Sequence, residues 1–275
     1  MEQKTQAPTA KGLTIEDFRS KEYGNTFQLL QSSNPVVLDR ITNLLIGLTE
    51  EELLDWPQTF SQMVKEDLTT ERDMARIAGL IFEKISQLYL SLNNPNNLYV
   101  TTSNFFDDIA KILESDPQIT VSPSGNKTGG TNIKWQNEKM VIPDMIVYAK
   151  NEFGQIESAS ELVEAKMGIK KIPYIEQQWL FIEYLRSNPN NWQQISRLLV
   201  AQSAPPLLDE PDFSFTLAHR EGIGEQRRNN WQEKGWQPTE MPFNRHDVYQ
   251  EIALFLKKYA TDGISSMSNP VTSSV

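Results

Sequence analysis

Apolar residues recur at helical spacing through the first hundred positions of this chain and alternate at strand spacing through its middle. Residues 1–12 carry neither pattern and are polar, which predicts a disordered tail. Residues 13–69 read as a helical region. Thr14-Ile-Glu-Asp17 has the form of a capped start, Val37, Ile41, Leu44, Leu45 and Leu48 follow Pro35 at helical spacing, and Thr49-Glu-Glu-Glu52 can cap a further helix. The most regular helix is predicted from Thr70 to Leu92, where Ala78, Ile81, Phe82, Ile85, Leu88, Tyr89 and Leu92 form one stripe that Asn93-Asn-Pro95 ends. A short strand over Leu98–Thr101 and a helix over Asn104–Glu114 follow.

From Gln118 the period becomes that of strands: Gln118–Ser122, Asn132–Trp135, Lys139–Tyr148 and Ser160–Lys166, with turns at Gln136–Glu138 and Asn151–Gly154 and a flexible loop over Ser124–Gly130. A helix after Pro173 reaches about Arg186, with Ile175, Trp179 and Ile182 on its buried side. Asn188-Pro-Asn-Asn191 breaks it, Ser196–Ala201 reads as a buried strand, and Phe213–Ala218 as another. The order helix, strands, helix, strand predicts an α/β domain over residues 70–260, with a central mixed β-sheet flanked by helices and an N-terminal helical extension. Its last helix is expected over Arg245–Tyr259, and residues 261–275, rich in serine, are expected to be disordered.

Composition narrows the chemistry. No apolar run reaches the roughly 18 residues of a membrane span, and no apolar signal region follows Met1, so a cytoplasmic or nuclear protein without membrane partners is expected, most simply a cytoplasmic one. Cysteine is absent and the only histidines are His219 and His246, which excludes thiolate metal sites and leaves oxygen ligands and a hard cation such as Mg2+ or Mn2+. The net charge of −10 is uneven: 18 acids against 10 bases up to Asp116, and 18 against 16 from Pro117 onward. A polyanion would therefore bind the second half.

The strands around Asp144 and Glu164 carry the candidate chemistry. Alternation places Glu164 and Lys166 on one face with Leu162 and turns Glu161, Val163 and Ala165 the other way, while Asp144 is expected on a strand between Ile142 and Ile146. An aspartate there is costly to bury unless it is paired or binds a metal. Two carboxylates on neighbouring strands can hold Mg2+, and a lysine one pleat along can orient or deprotonate a water if burial and a cation depress its pKa. The glycine-rich loop lacks the ending of a phosphate-binding P-loop, since Thr131-Asn132 follows Gly130. No nucleophile-elbow sequence lies near either histidine. A surface pair of Glu164 with Lys166, and an Asp144 that satisfies a turn, are the alternatives without chemistry.

Ile142-Pro-Asp144, followed twenty residues later by Glu164-Ala-Lys166, resembles the PD-(D/E)XK nuclease superfamily, the restriction-endonuclease-like fold. That resemblance implies Asp144 and Glu164 as metal ligands, the Ala165 carbonyl as a further ligand and Lys166 as the catalytic lysine. Many members place a glutamate on the first core helix after a glycine and an apolar pair, and Gly79-Leu-Ile-Phe-Glu83 is similar. Glu83 is therefore a candidate, the bland alternative being a solvated glutamate beside Lys84. Some branches carry a glutamine and a tyrosine four apart on the helix after the lysine. Gln177, Gln178 and Tyr184 do not have that spacing.

Lys170 and Lys171, before a helix N-terminus, and the stretch of Arg220, Arg227, Arg228 and Lys234 with Trp231 and Trp236 are the candidate DNA contacts. Glu221, Glu225 and Glu233 interleave the second stretch, which a solvated mixed-charge loop would equally explain. The expected function is a Mg2+-dependent DNA endonuclease of restriction or phage-defence type. The alternatives are a repair, recombination or transposition nuclease of the same fold and a non-catalytic nucleic-acid-binding or assembly protein that keeps the fold. The resemblance also allows a homodimer.

Overall fold

In a computed structural model, residues 71–123, 131–167, 174–209 and 211–244 are described. The expected N-terminal helices, the loop at 124–130, Lys170, Lys171, His246, the last helix and both tails lie outside them. Helix α1 (Glu71–Asn93) follows the apolar stripe, burying Ala78, Ile81, Phe82 and Ile85. The side chains of Asn93 and Asn94 donate to the carbonyls of Tyr89 and Leu90, satisfying acceptors that the end of a helix leaves open. Strand β1 (Asn97–Thr101), a 3-10 turn (Ser103–Phe105) and α2 (Phe106–Glu114) come next.

The expected single strand over Lys139–Tyr148 is two strands in two sheets. A three-stranded antiparallel sheet contains β2 (Ile119–Pro123), β3 (Thr131–Trp135) and β4 (Glu138–Met140), in that order. Gln136 and Asn137, both at positive φ (53° and 67°), make its tight β3–β4 turn. The chain leaves regular pairing at Val141–Asp144, where Pro143 has no N–H to give a ladder, and re-enters as β5 (Met145–Lys150) in the larger sheet. Asp144 thus sits in a bend at the head of β5 and not within a strand.

The larger sheet has the order β1-β5-β6, continued by two later strands. Strand β6 (Ile156–Lys166) pairs antiparallel with β5, which pairs antiparallel with β1. Helices α3 (Ile175–Ser187) and α4 (Pro189–Val200) follow. The expected strand at Ser196–Ala201 is the last part of α4. Trp192, Ile195, Ser196 and Leu199 are buried at intervals of three, one and three, a helical period, and Pro189 suits a first helical turn. Strand β7 (Ser214–His219) pairs parallel with β6. The stretch read as a loop then forms α5 (Glu225–Glu233) and β8 (Gln237–Glu240), parallel to β7.

The mixed five-stranded sheet therefore lies between helices, as the α/β pattern predicts. Ile146, Tyr148 and Leu162 pack in one cluster with Phe181, Ile182 and Leu185 of α3 and Trp192 and Ile195 of α4. Alternation turns Met145, Val147 and Val163, all buried, to the opposite face, where α1 packs against β1 and β6. Ile182 is fully buried on α3, whereas Ile175 and Trp179 are half-buried. Among the described residues no helix is long and apolar enough to cross a membrane.

Candidate functional site

The site forms where the paired ends of β5 and β6 meet the first turns after β1. Thr102 fixes the head of β5: its backbone N–H donates to the Asp144 carbonyl at 2.9 Å and its hydroxyl to the Pro143 carbonyl. The Asp144 side chain then reaches across to β6, where Oδ2 accepts the Ala165 N–H at 2.8 Å. Lys166, at the end of β6, places Nζ 3.4 Å from the same oxygen and also pairs with Glu164 Oε1. The other carboxylate oxygen of Glu164, Oε2, accepts from Gln178 Nε2 of α3 at 2.6 Å. Asp144, Glu164 and Lys166 thus converge on one point, with the acids and the lysine about a quarter exposed except for Glu164, whose side chain is 3% exposed.

Glu83 of α1 joins this cluster electrostatically. It is buried, and its Oε1 accepts from Ser103 Oγ at 2.6 Å. Burial, reinforced by the neighbouring charge of Asp144, pushes its carboxyl up to about 8 against the opposing influence of Ser103, Lys84 and Lys166. Burial and the same aspartate push Glu164 up to about 7, opposed by Lys166 and Gln178. Glu83 is therefore not a solvated helix glutamate.

Without a cation beside it, the lysine is governed by its two carboxylate neighbours. Burial works to lower its pKa, but the carboxylates of Asp144 and Glu164 outweigh burial and hold it above its ordinary value. As placed here, Lys166 donates to both carboxylates.

The donor set fits a divalent hard cation in kind. Asp144 and Glu164 offer carboxylate oxygens that already converge on a positive group, Lys166. Among the described residues no group of three or more acidic or histidine side chains stands close enough to hold a metal ion. For Ala165 the structure gives a backbone N–H bonded to Asp144, and this fixes the aspartate relative to β6.

Of the expected DNA contacts, Arg227 lines a cleft that Lys166 also reaches. Arg228 is drawn to Glu240 at 3.4 Å, and Arg220 Nη1 donates to the Glu221 carbonyl at 2.8 Å; neither lines that cleft. Trp231 and Trp236 are buried in packing, the first against the His219 ring at 5.3 Å and the second against Phe215 at 6.3 Å, which removes them as stacking platforms for bases.

Gln178, Ser103 and Thr102 are the site residues that sequence reasoning left unassigned. The signal for Gln178 was present, since it precedes Phe181, Ile182 and Leu185 by three, four and seven residues and so belongs to the buried stripe of α3. Ser103 and Thr102 carry no such signal, because their roles depend on contacts across 20 and 41 positions of sequence. His219, in register with Lys166 on β7, is fully buried, with Nδ1 3.0 Å from the Arg220 carbonyl; burial lowers its pKa. Comparisons of the chain with protein families, with curated proteins and with solved structures find no match.

Proposed function

We propose that the protein is a metal-dependent DNA nuclease of the PD-(D/E)XK type that hydrolyses phosphodiester bonds. The observation that carries this reading is the convergence of Asp144 and Glu164, from two adjacent strands, on Lys166 beside a large cleft. The element order supports it: α1, then β1, β5 and β6 as antiparallel neighbours, then α3 and the parallel β7, is the helix, three strands, helix, strand order that the resemblance implies, with α2 to β4 inserted and α4 added.

Asp144 and Glu164 would hold Mg2+ or Mn2+, which supplies Lewis acidity toward a phosphate oxygen and toward water. Gln178 secures Glu164 Oε2, so that Oε1 stays directed at the site. The bond from Ala165 N–H fixes the rotamer of Asp144, and Ser103 does the same for Glu83. Lys166 would orient the attacking water or donate to a non-bridging phosphate oxygen, where its charge offsets the negative charge that develops.

Two measurements test this reading. Mg2+ or Mn2+ should raise the melting temperature of the wild type and leave that of Asp144→Asn unchanged, since a ligand stabilises only the state that binds it. DNA should be cut with either ion and remain intact in EDTA. The ion network that Lys166 already closes favours one competing reading, a non-catalytic polynucleotide-binding protein. DNA binding with no cleavage in any divalent ion, and no thermal shift, would establish that reading instead.

A further inference from the structure

The cleft beside the cluster has a volume of about 1570 Å3, compared with roughly 300–1,000 Å3 for a small-molecule pocket. That size suits a polymer better than a single nucleotide. One wall is the β3–β4 hairpin with Lys139, the other is α5 with Arg227 and the following Lys234, and Lys166 connects the cleft to the acidic cluster. Apart from Lys166, whose charge Asp144 and Glu164 take up, its lining carries three cations, Lys139, Arg227 and Lys234, against two acids, Glu176 and Glu233, in a chain whose net charge is −10. The lining is thus slightly positive where the chain as a whole would repel a polyanion.

Two further observations point to an anionic occupant. Lys139, Arg227 and Lys234 are exposed, and none makes an ion pair or side-chain hydrogen bond among the described residues, unlike Arg220 and Arg228 outside the cleft. Lys139 also stands opposite Lys134 across the β3–β4 ladder, so the hairpin carries two neighbouring cations, both exposed. At the rim, Tyr174 is 64% exposed, a large aromatic ring left in water beside these cations.

We infer that this cleft takes a single-stranded DNA segment, with Lys139, Arg227 and Lys234 on its phosphates and Tyr174 stacked on a base. Cations would serve a duplex as well as a single strand. The exposed ring decides between them, because a base face is free for stacking only where the strand is unpaired and unstacked. The substrate of the proposed nuclease is then a single strand or the unpaired part of a duplex. That last step rests on the nuclease reading, whereas binding in the cleft does not.

The test is fluorescence anisotropy with the full chain in EDTA over a salt series. The probes are a labelled oligothymidylate, an oligouridylate of the same length and a blunt duplex. The single DNA strand should bind about tenfold or more tighter than the duplex. Lys139→Ala and Arg227→Ala should each weaken binding and lower the log–log salt slope by about 0.7, the value for one lost phosphate contact on a single strand. Tyr174→Ala should weaken binding by roughly fivefold or more with the slope unchanged, the mark of a lost stack. Equal or tighter duplex binding, preference for the oligouridylate, or cleft variants that bind as wild type does would overturn the inference. Because metal is absent, the two claims separate. Cleft binding without Mg2+-dependent cleavage refutes the nuclease alone, and cleavage that the cleft variants leave intact refutes the cleft alone.

Discussion

Glu83 and Glu164 are buried acids whose pKa values, about 8 and about 7, lie above the 4.5 of a free carboxyl. A carboxyl raised on folding binds more protons in the folded state than in the unfolded one between those values. Its contribution to stability is therefore complete below about 4.5 and is lost as pH rises through 7 to 8. The metal-free protein in EDTA should accordingly melt at falling temperature from pH 5 to pH 8, and Glu83→Gln should flatten that slope. A melting temperature that rises over this range would contradict the assignment. Gln178 makes a second prediction at this scale. Gln178→Leu removes the donor to Glu164 Oε2 and should cost about 1–3 kcal/mol of stability and about 10- to 100-fold in activity, as loss of a supporting contact to a metal ligand does. Urea midpoints and initial rates would check both, and full activity in a destabilised variant would reduce Gln178 to packing.

At the scale of elements, α4 is where pattern reading failed. The run Leu198-Leu-Val200 looks like a strand in isolation, but Trp192 and Ile195 set the helical phase one turn earlier. Trp192 anchors this helix: its ring stacks on Tyr148 of β5 at 6.2 Å and its Nε1 donates to the Pro205 carbonyl at 2.7 Å. Trp192→Ala should cost about 3–5 kcal/mol, the range for a large aromatic removed from a core, as read from denaturant unfolding. A loss within the small range of surface substitutions would contradict this packing.

The strands were legible because β5, β6 and β7 alternate or run apolar in short segments bounded by turns, and α1 because its stripe persists for several turns. The break at Pro143 was less visible, because Val141 and Ile142 continue the apolar run through it and only pairing partners reveal two sheets. The polar α5 has one buried residue, Trp231, so it offers hardly any periodicity to read. For the site, the letters placed Asp144, Glu164 and Lys166 on adjoining strand ends. They could not give the sign of the lysine's shift, which depends on two carboxylates meeting its ammonium in space.

For the whole molecule, the account requires an acidic protein that handles a polyanion through one local concentration of cations. Long-range repulsion from a chain of charge −10 should make DNA association slow at low salt for any surface except the cleft. The large mixed sheet between α1 and the α3–α4 pair holds the acids rigidly, and the inserted β2–β4 sheet brings Lys139 to the cleft without disturbing that core. The central claim, that Asp144 and Glu164 serve metal-dependent hydrolysis, is tested most directly by one cleavage assay. Single-stranded and supercoiled DNA are incubated with wild type, Asp144→Asn and Glu164→Gln in Mg2+, Mn2+ or EDTA, with circular dichroism to verify folding. The account predicts cleavage by the wild type with metal only, and a loss of about a thousandfold or more in each folded variant, equivalent to several kcal/mol of transition-state stabilisation. Uncut DNA with every ion, or variants that cut as fast as the wild type, would contradict it.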